Sequence, residues 1–304
     1  MAGLCRRVDQ LSLALVHSAL RAPAQRVLFT IVRLPDGDCS IDLLLFMRAI
    51  LERPALGKWV QELYAGRPVG YMTNFVSIDP EADRTRRMAI ARIFDRMLPH
   101  LTRLRVLSIL WNLQQLSEVQ FADAPTELLS LTVAHCTPPL NAWLDRCSML
   151  RHLTLVERPH YKFMTYEQRL PPSNIPLSLI PSASMDRLKS LCSSVYGLAA
   201  MIPGRKVEVI AMGYAATQAV IAEAKFFKSV ALSMAPLRKF YIHVHLDASG
   251  TCLPNWNEFR LIGKAQMSSL ISLTLYLTPV AARKVRRFTC YSKPSRTEPF
   301  DCPW

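Results

Sequence analysis

The feature that most restricts the fold of this chain is a short leucine spacing that recurs along it. Residues 128–136, Leu-Leu-Ser-Leu-Thr-Val-Ala-His-Cys, fit the pattern L-x-x-L-x-L-x-x-[N/C]. Looser copies begin at residues 101, 150, 237 and 270. Alternate side chains of a short strand point to one face, so L-x-L buries two residues together and the leucine before them covers the turn. One such unit cannot close a core, which is why the repetition matters.

The copies are irregularly spaced, at intervals of 27, 22, 87 and 33 residues, so the interval of 87 must contain at least one further unit. The candidates for it are Leu188 and Leu191, then the alternating Val207, Val209 and Ala211. Apolar residues recur at helical spacing before the copies at 150 and 237. We therefore predict an α/β fold, an irregular leucine-rich-repeat solenoid (horseshoe) over residues 101–279. A conventional α/β domain whose leucines match by chance is the alternative.

The rest of the chain divides into three segments. We expect residues 1–35 to form a helical segment. We expect residues 36–100 to form a helical linker or cap, with helices ending before Pro54, from Leu56 to Tyr64, and from Glu81 to Leu98. Residues 280–304 read as a basic, extended or disordered tail. Within the repeats, the proline-rich stretch 157–182 reads as a long loop.

Charge and composition limit the kinds of partner that the chain could bind. The chain has 304 residues, half of them apolar, and a net charge of +14, which excludes general disorder and favours phosphate, anionic lipid or acidic protein as partners. Seven arginines stand between residues 84 and 105 beside one acid, Asp95. The helix carrying Arg92 and Arg96 has no aromatic residue on its polar face, which favours a solvated surface over nucleic-acid binding.

Cysteine usage and hydropathy favour a soluble protein of the cytoplasm or nucleus. The eight cysteines include no C-x-x-C, so we interpret them as reduced and mostly buried thiols. No run of about 18 apolar residues occurs, so no membrane partner is expected. Arg6 and Arg7 before the apolar run 11–20 could mark a targeting peptide, but an amphipathic helix explains the same residues.

The sequence predicts no enzyme, cofactor or metal site. It has no G-x-G-x-x-G, phosphate-loop, G-x-S-x-G or H-E-x-x-H motif. Five potential ligands lie between His135 and His160, but close pairs fixed by a turn, which zinc needs, are missing. Gly37, between Asp36 and Asp38, is misplaced for a calcium loop.

Residues 8–29, Val-Asp-Gln-Leu-Ser-Leu-Ala-Leu-Val-His-Ser-Ala-Leu-Arg-Ala-Pro-Ala-Gln-Arg-Val-Leu-Phe, resemble the second half of an F-box as fungal F-box proteins carry it. That half is a leucine-rich helix, a short basic turn, and Pro-Ala-Gln-Arg leading into an Ile-Val-Arg-Leu strand. The units at residues 100–107 and 147–155 are similar to the irregular leucine-rich repeats of that family. The resemblance covers the chain to about residue 280.

The resemblance implies a non-catalytic substrate receptor of a cullin-type ubiquitin ligase, with the adaptor, the cullin and a protein substrate as partners. Its adaptor contacts would be Leu11, Leu13, Leu15, Val16, Leu20 and Pro23. The first half of an F-box, a Leu-Pro-x-Glu start and a helix, is missing before Met1. We interpret this as a truncated gene model or as a repeat protein that lost ligase coupling.

The repeat model also predicts where a substrate would bind. Strand residues that alternate with the leucines would line the concave face. They are Thr132, His152, Thr154, Tyr241, His243 and Thr274. The alternative function is a basic leucine-rich-repeat protein that binds phosphate-rich or nucleic-acid partners without ligase coupling.

Overall fold

The structure, a computed structural model, describes residues 18–34, 41–66, 80–111, 113–134, 136–155, 185–215, 220–246, 269–279 and 286–291. The chain divides into two compact units, Met1–Met149 and Leu150–Trp304. Each unit contains parallel strands with helices between them. The predicted α/β class is therefore confirmed.

Unit 1 contains four parallel strands in the order β1-β2-β3-β4. The strands are β1 (Ile31–Leu34), β2 (Glu62–Ala65), β3 (Val106–Ile109) and β4 (Ser130–Val133). The helices are α1 (Ser18–Thr30), α2 (Ile41–Glu52), α3 (Pro54–Gly57), α4 (Pro80–Met97), α5 (Leu113–Ser117) and α6 (Pro138–Leu144), with a 3-10 turn at Leu98–His100.

Unit 2 contains β5 to β9 in chain order, all parallel, and β10 antiparallel to β9. The strands are β5 (His152–Leu155), β6 (Ser190–Ser194), β7 (Val209–Ala215), β8 (Lys239–Leu246), β9 (Ser272–Pro279) and β10 (Arg286–Tyr291). The helices are α7 (Val195–Met201) and α8 (Val220–Ala231).

The strands begin with the same hydrogen-bond arrangement in both units. The carbonyl just before one strand accepts two N–H groups at the start of the next strand. Gln61 accepts from Arg105 and Val106 at 2.8 and 3.0 Å, and Lys189 accepts from Glu208 and Val209, both at 2.9 Å. The carbonyls of Arg105, Arg151, Glu208 and Arg238 do the same. This recurrence is a structural repeat that does not depend on any leucine.

The core follows the leucine spacing. In unit 1, side chains in register on neighbouring strands are at most 3% exposed; they are Val32, Leu63, Leu107 and Leu131. In unit 2 the corresponding row is at most 1% exposed and comprises Leu153, Leu191, Ile210 and Phe240. Burying one such side chain contributes about 1.5–3 kcal/mol, so these rows hold the strands to the helices.

Among the described residues, the interval of 87 residues contains two further strands, β6 and β7. The predicted alternation there is only partly confirmed, because Val207 and Ala211 are buried but Val209 is not. Val209 is half-buried, whereas Ile210 and Met212 are at most 2% exposed. Ile210 pairs with Leu191, which places it in the core row. A shift of one residue exchanges the two faces of a strand, so this register decides which residues are buried.

The parallel strands begin upstream of residue 101, and one prediction there needs correction. The expected helix from Leu56 to Tyr64 is only the turn α3, and β2 follows it within the segment predicted to be helical. The reason is that Val60, Leu63 and Ala65 are all buried and repeat the spacing of the apolar residues in the later units. The helix predicted over 81–98 is confirmed as α4 with its 3-10 turn.

Residues 286–291 of the predicted disordered tail form β10. Each pairs with β9, from Arg286 beside Leu277 to Tyr291 beside Ser272. An outer strand otherwise presents unpaired N–H and C=O groups, and aromatic and β-branched residues such as Phe288 and Thr289 suit a strand. The remainder of the tail, the proline-rich stretch 157–182 and the segment 1–17 lie outside the described residues.

Candidate interaction surface

The strands of unit 2 carry two rows of side chains on the face opposite the core row, called here the open rows. The first open row consists of His152, Ser190, Val209, Lys239 and Ser272, and the second of Thr154, Cys192, Ala211, Tyr241 and Thr274. Ser272 is 7% exposed, and the other members of the first row are half-buried. In the second row, Cys192, Ala211 and Thr274 are at most 6% exposed. The half-buried members of the two rows can contact a partner; they are His152, Thr154, Ser190, Val209, Lys239 and Tyr241.

Four of the predicted substrate contacts lie in these rows, but they differ in exposure. His152, Thr154 and Tyr241 are half-buried members of the open rows. Thr274 is in register with Tyr241 but only 1% exposed, with its hydroxyl 3.5 Å from that of Ser272, so it is closed to a partner. Alternation within the strand assigns the face correctly but cannot show what covers it.

The other two predicted contacts, His243 and Thr132, do not belong to the open rows. His243 lies in β8, in register with Gly213 and Tyr276. Thr132 is half-buried in β4 of unit 1, in register with Ser108.

His152 stands in a positive environment. Burial lowers the pKa of its imidazole, and the charges of Arg151 and Lys189 lower it further. The His152 side chain is therefore neutral near pH 7, and the field that suppresses its protonation attracts an anion.

Cations gather where the strands of unit 2 begin, a surface called here the basic edge. It consists of Arg151, Arg187, Lys189, Lys206, Arg238 and Lys239. Two carboxylates lie among them, Asp186 and Glu208, and Glu208 forms an ion pair with Arg238 at 3.6 Å. Sequence reasoning missed this cluster because its members are spread over 89 residues of the chain. The repeating strand starts bring them together.

A second polar group lies on the uncovered face of unit 1. The Arg33 guanidinium lies 5.1 Å from the Tyr64 ring centroid, and the Tyr64 hydroxyl donates to the Glu62 carboxylate at 3.0 Å. Burial and this hydrogen bond raise the pKa of Tyr64. A cation over a ring is favourable, so the three side chains support one another. Sequence reasoning did not single them out because β2 was predicted to be helical.

The arginine-rich helix α4 has the predicted faces. Ile90, Phe94 and Met97 are at most 1% exposed, while Arg92 and Arg96 are exposed. Arg92 pairs with Glu118 at 3.7 Å. A cavity of about 110 Å³ between α4 and α5 is lined by Arg84, Arg87, Met88, Gln115, Ser117 and Glu118.

Asp95, the one acid among the seven arginines, anchors a loop. Its Oδ1 accepts from the backbone N–H groups of Gln120 and Phe121 at 3.1 and 2.9 Å. Phe121 has a φ of 55°, a conformation that residues with a side chain seldom adopt. Its buried ring stacks on Trp143 with centroids 4.9 Å apart. The carboxylate therefore stabilises a strained loop.

The predicted adaptor contacts lie mostly outside the described residues, which applies to Leu11, Leu13, Leu15 and Val16. Leu20 and Pro23 lie in α1, and Pro23 is exposed. The basic turn expected before Pro23 is instead continuous helix, running directly into the predicted strand β1. Pro23 lies inside α1, beyond its first turn, so its missing N–H group leaves one hydrogen bond of the helix unmade.

The described residues contain neither a metal-binding cluster nor a helix that could span a membrane. Among them, no three His, Cys, Asp or Glu side chains are grouped so that they could hold a metal ion. None of the described helices combines the length and apolar character that crossing a membrane requires. Cys136, Cys147 and Cys192 are buried thiols that take part in no disulfide.

Comparison of the whole chain with known proteins provides no further assignment. No protein-family model matches the chain. No curated protein matches it either.

Proposed function

We propose that this protein is a non-catalytic interaction module of the leucine-rich-repeat type, an irregular horseshoe whose open rows bind a protein substrate. The observation that carries the proposal is the recurring strand start, in which one carbonyl accepts two N–H groups of the next unit. Repetition of this kind is characteristic of stacked units. With the core rows buried on one side and the half-buried His152, Thr154 and Tyr241 on the other, the module would present a surface for a partner.

The resemblance of residues 8–29 to an F-box supports a more specific role. In that role the chain is a substrate receptor of a cullin-type ubiquitin ligase in the cytoplasm or nucleus. Leu11, Leu13, Leu15, Val16, Leu20 and Pro23 would contact the adaptor. Ubiquitin transfer would belong to other subunits, so the chain itself would need neither a catalytic residue nor a cofactor.

The experiment for this role is co-expression of the tagged full chain with the ligase adaptor and cullin, followed by purification on the tag. We expect both subunits to co-purify, and Leu15→Asp to abolish co-purification because a buried charge is costly at an apolar interface. Arg26→Ala, at an exposed position of α1, is the matched control. Failure of the well-expressed wild-type chain to retain the adaptor would exclude the ligase role.

The second candidate is binding of phosphate-rich or nucleic-acid partners without ligase coupling. The exposed Arg92 and Arg96 side chains of α4 favour it. Binding of this kind would weaken steeply with salt, and changing Arg92 and Arg96 to Glu would reduce that dependence. Binding that does not change with salt would exclude it.

A further inference from the structure

We propose that the basic edge of unit 2 and the first open row bind an acidic, carboxylate-rich segment of a partner protein. This inference rests on the proposed function, because it names the chemical class of the substrate that the open rows would take. It is carried by the arrangement of charges across strands β5 to β8.

The residues just before these four strands lie side by side. The N–H of Lys189 bonds to the carbonyl of Arg151 at 2.9 Å, and that of Arg238 bonds to the carbonyl of Glu208 at 2.8 Å. The N–H of Glu208 bonds in the same way to the carbonyl of Lys189. Neighbouring strands are about 4.8 Å apart, so Arg151 and Arg238 stand about 14 Å apart along the edge.

The spacing suits an extended peptide that crosses the strands. Such a peptide places every second side chain on one face, roughly 7 Å apart. Two acidic residues four positions apart would therefore reach Arg151 and Lys189 with one carboxylate, and Arg238 and Lys239 with the other.

Arg151 and Lys189, which the first carboxylate would contact, are not paired with an acidic residue in the described part of the chain. In the part of the chain that the structure describes, neither Arg151 nor Lys189 has a carboxylate within 4.0 Å. Both side chains are exposed, and His152 beside them is half-buried. An incoming carboxylate would thus meet two exposed cations and an imidazole.

The surroundings favour a peptide over a nucleic acid. Asp186 and Glu208 interrupt the cations and would repel a continuous phosphate backbone. The first open row offers the Ser190 hydroxyl and the apolar Val209, which suit a peptide. In the open rows of the described residues Tyr241 is the sole aromatic side chain, whereas single-stranded nucleic acids bind through several stacked rings.

The experiment measures binding of labelled probes to the full chain by fluorescence anisotropy. The peptide probe has about 13 residues, with Glu at every fourth position among Ser and Gly. The comparison probes are the same peptide with Gln for Glu, and an oligothymidylate of equal charge. The test variant combines Arg151→Glu with Lys189→Glu. The control variant combines Lys58→Glu with Arg103→Glu, exposed positions of unit 1 with the same change in net charge.

We expect the wild-type chain to bind the Glu peptide, and to bind it several-fold more weakly as salt rises from about 50 to 200 mM. The test variant should bind at least about tenfold more weakly, and the control variant within about twofold of wild type. If the charge reversals unfold the chain, as circular dichroism would show, Arg151→Gln with Lys189→Gln serves instead.

Three results would overturn the inference. They are equal affinity for the Glu and Gln peptides, equal loss in the test and control variants, and tighter binding of the oligothymidylate than of the Glu peptide. Adaptor co-purification from the same preparations tests the ligase role separately. A chain that retains the adaptor without binding the peptide contradicts only this inference, and the reverse result contradicts only the ligase role.

Discussion

Replacement of Asp95 by alanine tests how the loop after α5 is held. The change removes the acceptor of two N–H groups, at 2.9 Å from Phe121 and 3.1 Å from Gln120. A hydrogen bond to a charged group contributes about 1.5–3 kcal/mol, but the exposed Gln120 amide can bond to water instead. Losing the Phe121 bond dominates, so we expect the free energy of unfolding to fall by about 2–3 kcal/mol.

The size of this effect has a structural reason beyond the hydrogen bonds. Phe121 keeps a φ of 55° while its ring is buried against Trp143. Arg146 holds the same loop by donating to the carbonyls of Phe121 and Ala122 at 2.6 and 2.7 Å. Without the carboxylate, the backbone strain at Phe121 opposes the aromatic stacking, since only the Arg146 bonds remain to hold the loop.

Urea unfolding followed by tryptophan fluorescence measures the change, because Trp143 stacks on the affected ring. With an m-value of about 2 kcal/mol/M, the midpoint should fall by about 1–1.5 M. Asp95→Asn keeps an oxygen acceptor and should lose about half as much. Asp123→Ala, an exposed carboxylate of the same loop, is the control. A midpoint for Asp95→Ala within about 0.2 M of wild type, or an equal loss in the control, would refute this reasoning.

Three further predictions concern the packing of each unit. Gly57→Ala should destabilise unit 1 by about 1–3 kcal/mol in urea unfolding, because the new Cβ would overlap the carbonyl oxygen of His100; an unchanged midpoint would contradict this. Arg205→Ala should lower the free energy of unfolding of unit 2 by about 1–3 kcal/mol, since the buried guanidinium donates to the Met201 carbonyl at 2.6 Å. Lys206→Ala, at an exposed position, is the control and should change it little. Burial raises the pKa of Cys147 to about 12, so the native thiol should resist alkylation at pH 8, as mass spectrometry of digests would show. The unfolded thiol ionises near its ordinary pKa of 9.0, whereas the folded thiol does not. The free energy of unfolding should therefore also fall as pH rises above 9.0. Rapid labelling of Cys147 in the native protein would contradict both expectations.

Local patterns predicted the strands that carry the leucine spacing. The copies beginning at 128 and 150 became β4 and β5, and those at 237 and 270 became β8 and β9. Alternation is a property of a single strand, so a few residues suffice to identify its buried face. The same reasoning identified α4, because helical spacing and Pro99 are also local signals.

Local sequence patterns did not predict features that depend on a neighbouring strand. Val209 and Ile210 are both apolar and β-branched, and only pairing with β6 places Ile210 in the core. The strand β10 exists because β9 offers an edge to it. The sequence shows Asp95 only as the one acid among seven arginines, and it is the fold that brings the N–H of Phe121 to its carboxylate.

The sequence by itself determined the α/β alternation, most of the strand positions and the buried leucines, since each depends on residues within a few positions of one another. Only the tertiary structure decided which strands are neighbours and what covers each face. That is why Thr274 is closed to a partner although its position in the strand matches that of Tyr241. It is also why Arg151, Lys189 and Arg238, far apart in the chain, form one basic edge. Their proximity arises from backbone hydrogen bonds between successive strands, which no local pattern of side chains encodes.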